Sequence, residues 1–244
     1  MTTGRMLRAL VPNDLRNVRR DPLLLWVGGL PLLMALVIRL GLPVVAGLLH
    51  ARTGFDMRPY DPLIMGGFVL LAPAMVGMVI GFLLLDERDD RVLAALLVAP
   101  LPLRHYLLYR ISMPTIVATG VTLISYPVAG LVPLAWADLL GIALLAALAG
   151  PFVALTLAAF APNKVAGFAV MKTSNGVQLL PLMAFFVAEP WQYLAGLVPS
   201  FWPMKALWLA AAGAEIWPAL AVGLLANLVA LALLARRFET VAHR

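Results

Sequence analysis

Four of the chain's twelve carboxylates, Asp86, Glu87, Asp89 and Asp90, fall within five residues. Such a cluster could supply a general acid and base, or hold a divalent cation beside a histidine at ligand spacing. No such histidine is near: His50, His105 and His243 are far apart in sequence. The chain has no cysteine, which excludes disulfides, thiol catalysis and thiolate metal sites. A second polar group, Lys172-Thr173-Ser174-Asn175 with Gln178, interrupts an apolar run. Its wording, GFAVMKTSNG over residues 167–176, resembles a phosphate-binding loop only superficially. That motif needs G-x-x-x-x-G-K-[ST], and here Ala166 and Met171 occupy the two glycine positions. No metal, cofactor or nucleotide is therefore expected on this chain, and no catalytic residue.

The elements that carry these clusters follow from composition. Of the 244 residues 63% are hydrophobic and 12% charged, with mean hydropathy +0.96. A soluble domain is nearer half apolar and a quarter charged, so the chain is expected to be an all-α polytopic membrane protein. Six stretches are long and apolar enough to span: Leu23–Leu49, Pro62–Leu85, Ile111–Leu131, Leu139–Phe160, Val165–Ala188 and Ile216–Ala235. The first is too long for a signal-peptide core and lacks a small-residue cleavage site, so it reads as a true span. Between the fifth and sixth, residues 191–212 carry Trp191, Tyr193, Phe201, Trp202 and Trp208 among Pro199, Pro203 and Lys205. That aromatic density suits short extracellular or re-entrant helices at the membrane interface.

Net charge is +6, and its distribution sets the orientation. With the N-terminus inside, thirteen arginines and lysines lie on the inner side, against Arg52, Arg58 and Lys205 outside. Basic loops stay in the cytoplasm, so six spans with both termini cytoplasmic are expected. The basic charge is thereby assigned to topology and lipid, and no nucleic-acid partner is expected. One domain is expected over 1–244: an interface segment (1–22), a six-span bundle (23–235) and a cytoplasmic tail (236–244).

In the N-terminal segment Leu7, Val11, Leu15 and Val18 make one helical stripe, while Arg16, Arg19 and Arg20 lie off it with Arg5 and Arg8. A basic amphipathic helix lies in the interface with its arginines against anionic lipid. The carboxylate cluster falls between spans two and three. Its acids are placed where a helix begins, complementing the dipole there. Val92, Leu93, Leu96 and Leu97 follow at helical spacing, and Pro100 and Pro102 turn the chain. A short cytoplasmic helix across the inner mouth of the bundle is expected. Arg39 and Lys172 fall within spans, where a charge faces a cavity, a partner or, by snorkelling, the interface.

This stretch resembles the coupling-helix region of ABC transporter permeases of the type-2 exporter class. The matching residues are Glu87-Arg88, the Leu93–Leu97 face, the corner Ala99-Pro100-Leu101-Pro102 and Arg110. Val198-Pro199-Ser200-Phe201-Trp202-Pro203 is similar to wording common before the last span of that family. The chain departs from it at Asp89-Asp90, where small residues are usual. The resemblance implies a permease subunit in the cell's inner (plasma) membrane, paired with a second permease as a homodimer or related heterodimer. A separate ABC ATPase would bind ATP and magnesium and push on a coupling helix through Glu87, Arg88, Leu93, Leu96, Leu97 and Pro100. Arg39, Lys172, Asn175 and Gln178 are candidates for the translocation path. A secondary transporter would instead need a mid-membrane acid, and an intramembrane lipid-modifying enzyme a nucleophile with its base.

Overall fold

Prolines break two of the apolar stretches at matching places. In the computed structural model, which describes residues 22–89 and 103–242, every element among those residues is helical. The first long helix, α1, runs Pro22–Thr53. A 3-10 turn at Arg58–Tyr60 leads into α2 (Asp61–Val69) and α3 (Leu71–Asp89). Helix α4 spans Leu103–Ala129, followed by α5 (Trp136–Ala147) and α6 (Ala149–Phe160). Helix α7 spans Lys164–Leu179 and continues as 3-10 helix over Leu180–Phe186. A second 3-10 segment, Trp191–Leu197, precedes α8 (Phe201–Ala211) and the last helix, α9 (Trp217–Ala242).

The α2/α3 break lies at Leu70 and the α5/α6 break at Leu148. Pro73 and Pro151 each stand three residues beyond. A proline supplies no N–H and its ring crowds the carbonyl four residues back, so the helix cannot run straight through. The N–H of Leu70 and of Leu148 instead reaches the carbonyl three residues back, Gly67 and Leu145, each at 3.3 Å.

Five helical stretches are long and apolar enough to cross a membrane: Gly29–Thr53, Arg58–Glu87, Ile111–Ala129, Trp136–Phe160 and Trp217–Phe238. They match five of the six expected spans. The expected fifth span, Val165–Ala188, forms α7 of 16 residues and then the tighter 3-10 segment. Its polar middle, Lys172 to Gln178, keeps it below the hydropathy of the other five.

Helices α3 and α6 form the centre and share the most extensive contact in the fold. They cross where Gly77 meets Gly150: a Cβ on Gly77 would stand 2.3 Å from the Gly150 carbonyl oxygen. One turn on, a Cβ on Gly81 would stand 3.2 Å from Ala154 Cα. Small residues at this spacing let two backbones touch, which is how membrane helices gain packing energy. Helix α4 packs on α3, α5 and α6, α1 on α3 and α4, and α9 on α6. Helix α1 buries almost none of its apolar surface, leaving Leu36, Val37, Leu40, Val44 and Leu48 exposed.

At one end of the bundle, α8 plugs the space between α2, α5 and α9. Phe201, Met204, Leu207 and Trp208 are buried there with Met65, Phe68 and Ile142. At 11 residues, α8 is about 16 Å long, too short to span. Between residues 191 and 212 the chain thus forms short helical segments, none long enough to cross a membrane.

The opposite end holds a correction. The acids Asp86, Glu87, Asp89 and Asp90 were expected to begin a helix. Instead α3 runs on through Asp89, so Asp86 and Glu87 close a helix rather than open one. No proline or glycine separates Leu85 from Asp89, and Asp86 finds a compensating cation in Lys164 at 2.7 Å. Asp90, the interface segment with Arg16, Arg19 and Arg20, and the coupling residues Leu93, Leu96, Leu97 and Pro100 lie outside the described residues.

Candidate functional site

The polar residues of α7 divide by face. Asn163 caps the helix, its Oδ1 accepting from the Ala166 N–H at 2.9 Å. From that start, Gly167, Ser174 and Gln178 fall on the buried face, while Lys172, Thr173 and Val177 are exposed. Thr173 turns its hydroxyl back to the Ala169 carbonyl at 3.1 Å. Gln178 is only 7% exposed, and its backbone carbonyl accepts from Ser200 Oγ at 2.6 Å.

Asn175 and Gln178 open onto a cavity of about 300 Å³. Gly67, Leu70 and Leu71 from the α2/α3 break, Ala74 and Met75 from α3, Ala149 from the α5/α6 break and Leu179 complete its wall. The two proline-induced breaks therefore face one cavity. The wall is apolar except for two side-chain amides, and no charged residue lines it.

One of the two amides lacks a partner at its oxygen. Asn175 Oδ1 and, beside it in sequence, Ser174 Oγ are buried without a hydrogen-bond partner, as is Thr122 Oγ1 on α4. An unpaired buried polar atom costs about 1–3 kcal/mol, so it is retained only where something repays it. An apolar chamber with a few convergent polar groups is the ordinary form of a small-molecule site.

The other candidates are placed differently. Lys172 is exposed on α7 and does not line the cavity. Arg39 lies at the far end of α4, where its Nη1 donates to the Val128 carbonyl at 3.2 Å. A guanidinium there complements the negative end of the helix dipole and helps finish α4 before Gly130, which turns with φ +67°. Of the coupling residues, Glu87 is half-buried near the end of α3, and Arg88 belongs to the same turn.

A larger open cleft, about 450 Å³, lies between the end of α1 and the start of α2. It is lined by His50, Asp56, Arg58 and Asp61 beside Leu42, Pro43 and Leu131. Its charged groups sit on exposed or half-exposed positions, and it receives none of the sequence candidates. The smaller cavity is the better site because Gln178 is buried there and Asn175 Oδ1 is buried without a partner. Among the described residues no group of histidine, aspartate or glutamate could hold a metal ion.

One buried cation escaped the sequence reading. Lys205, expected on the outer side among short interfacial or re-entrant helices, is only 6% exposed. It donates to Glu189 and, at 2.6 Å, to Gln192 Oε1, and lies 5.2 Å from the Tyr193 ring centre. Gln192 Nε2 in turn donates to the Ala184 carbonyl at 2.9 Å. This network ties the 3-10 segments to α8. Lys205 holds the Glu189 carboxyl below the usual glutamate range, by hydrogen bond first and by charge second. Trp208 Nε1 ties α8 to α2 through the Pro62 carbonyl at 3.1 Å, and Asn227 Nδ2 ties α9 to the Pro199 carbonyl at 3.3 Å.

Comparison with known proteins bears on the whole chain. The profile of the family described as fluoroquinolones export permease protein Rv2686c-like matches residues 14–235. The fluoroquinolones export permease proteins Rv2686c and MT2760, from two strains of Mycobacterium tuberculosis, are each 33% identical over 238 residues. The match covers 96% of this chain and 94% of each relative. No solved structure matches significantly. The match agrees with the type-2 exporter resemblance carried by residues 87–110. With its apolar spanning helices, this chain is a multi-pass membrane protein, and it belongs to the Rv2686c-like family of export permeases.

Proposed function

We propose that the chain is the membrane subunit of an ATP-driven exporter, with ATP and magnesium bound by a separate ABC ATPase rather than by this chain. The observation that carries the reading is near-full-length kinship to export permeases in a chain with a half-open, polar-dotted cavity between α3 and α7. Six spans follow if α7 and its 3-10 extension cross together. Sixteen residues at about 1.5 Å and seven at about 2 Å give a path of roughly 38 Å, enough for a core of about 30 Å. Ser174, Asn175 and Gln178 of this span are then turned to the bundle, while Lys172 and Thr173 stay on its exposed face.

In this topology both termini are cytoplasmic, in the inner membrane. The Lys205 network and α8 form a re-entrant cap on the outer side, and Asp86 lies on the inner side. Arg16, Arg19 and Arg20 rest on anionic lipid. The ATPase engages the segment after α3 through Glu87, Arg88, Leu93, Leu96, Leu97 and Pro100, and its closure is levered into α3. The exposed apolar surface supports a second permease subunit, identical or related.

The substrate is a compact amphiphile of the fluoroquinolone kind, with Asn175 and Gln178 bonding its polar edge. A cavity of about 300 Å³ is at the low end of small-molecule sites. An uncharged wall favours a ligand that is neutral overall, because an unpaired charge pays a heavy desolvation cost. Lys172 stands at the cavity's inner approach. The test is purification from native membranes with identification of co-purifying proteins. The proposal expects an ABC ATPase, ATP turnover only in its presence, and loss of coupled transport in Glu87→Lys. Robust ATP hydrolysis by the chain alone would overturn it.

A further inference from the structure

Two charges at the inner end of the bundle stand at the wrong ends of their own helices. Asp86 is a carboxylate near the C-terminus of α3, which carries the negative end of that helix dipole. Lys164 is the first residue of α7, at the positive end of its dipole. Each position is locally unfavourable. The two side chains meet at 2.7 Å, and that pairing relieves both. A bridge placed to stabilise either helix by itself would have the opposite polarity.

The same two helix ends are locked by packing. The Phe82 ring on α3 lies 4.7 Å from the Phe168 ring on α7. Gly167 admits α3 closely: a Cβ there would stand 3.0 Å from Leu85 Cδ1 and 3.1 Å from Phe82 Cε1. Both charges are partly exposed, Asp86 at 42% and Lys164 at 49%, so the packing supplies the stiffness and the ion pair fixes the register.

We infer that Asp86 and Lys164 are positioning residues that clamp the inner ends of α3 and α7, so that a push on α3 moves α7 with it. Helix α7 carries Asn175 and Gln178, and α3 carries Ala74 and Met75 of the opposite wall. A displacement at the inner end of α3 thus reaches both sides of the cavity through one rigid pair. This inference rests on the proposed ATP-driven export, because that supplies the push.

The experiment is charge exchange in the full chain with its ATPase, reading export of a fluoroquinolone from cells by its own fluorescence. Asp86→Lys and Lys164→Asp are each expected to lower export by about fivefold or more. The double exchange is expected to restore it, since the pair re-forms across the same two helix ends. Thermal unfolding in detergent needs no ATPase and separates the two proposals. The double exchange should melt near wild type, and each single below it. A cysteine-free chain also permits Asp86→Cys with Lys164→Cys joined by a short bifunctional thiol reagent. A clamp that never opens predicts that export persists after joining. Unaffected single variants, a double that fails to restore export or stability, or export abolished by joining would each overturn the clamp. Wild type that exports nothing with its ATPase would defeat the export reading, while the melting order would still decide the clamp.

Discussion

Gly77→Ala should destabilise the bundle, and Gly120→Ala should not. The new Cβ at residue 77 would stand 2.3 Å from the Gly150 carbonyl oxygen and 2.9 Å from its Cα and carbonyl carbon. Ordinary contact begins at 3.4 Å, so the central helices α3 and α6 must part by about 1 Å. The obstructing atoms are backbone, so no side chain can rotate away. Overpacking of this kind costs about 1–3 kcal/mol, and replacing a helical glycine by alanine returns roughly 0.5–1 kcal/mol. The net is a loss of about 1–2 kcal/mol, or a Tm lowered by about 2–8 °C for a chain of this size. Gly120, on the exposed side of α4, meets nothing within 4 Å. The same substitution there keeps only the favourable term, about 0.5 kcal/mol or more. Thermal unfolding of both variants in detergent, followed by tryptophan fluorescence, compares them directly. Equal melting temperatures for the two would refute the close crossing of α3 and α6.

Gln178→Leu should cut export of the proposed substrate by about fivefold or more while changing Tm little, because the cavity loses a polar contact and keeps its volume; paired export and melting measurements check this. Glu189 has a lowered pKa, so its contribution to holding the 3-10 segments to α8 is complete above the ordinary glutamate value of 4.5 and is lost as pH falls through the lower folded value. An acid titration of tryptophan fluorescence should therefore register loosening around Trp202 and Trp208 only below pH 4.5, and Glu189→Gln should abolish that step. An identical titration in the variant would remove the Lys205–Glu189 pair as the cause.

What the sequence revealed followed from periodic and compositional signals. Hydropathy located the long helices, and aromatic density located the short ones before the last span. The polar run 172–178 was conspicuous inside an apolar stretch, and two of its members do line the cavity. Other features needed tertiary information. Pro73 and Pro151 were visible as prolines, but only the fold places their breaks on one cavity. Lys205 read as one more outer-side charge because a linear pattern cannot reveal Glu189 and Gln192 arriving from neighbouring turns. Arg39 could have faced a path or the interface, and the geometry puts its guanidinium on the end of α4. The acids after Leu85 read as a helix start because acids favour that position; Lys164, 78 positions on, reverses the reading. One signal was present and overlooked: Gly77-Met-Val-Ile-Gly81 is a small-xxx-small pattern, the sequence mark of the close crossing with α6.

The central claim is that this permease moves its substrate through the α3–α7 cavity under the drive of a separate ATPase. Inside-out membrane vesicles holding the chain and its ATPase should accumulate a fluoroquinolone on addition of ATP. Vesicles with the chain alone should not, and Gln178→Leu should sharply reduce the signal. Accumulation that proceeds without the ATPase, or at full rate with the cavity residue replaced, would contradict the account.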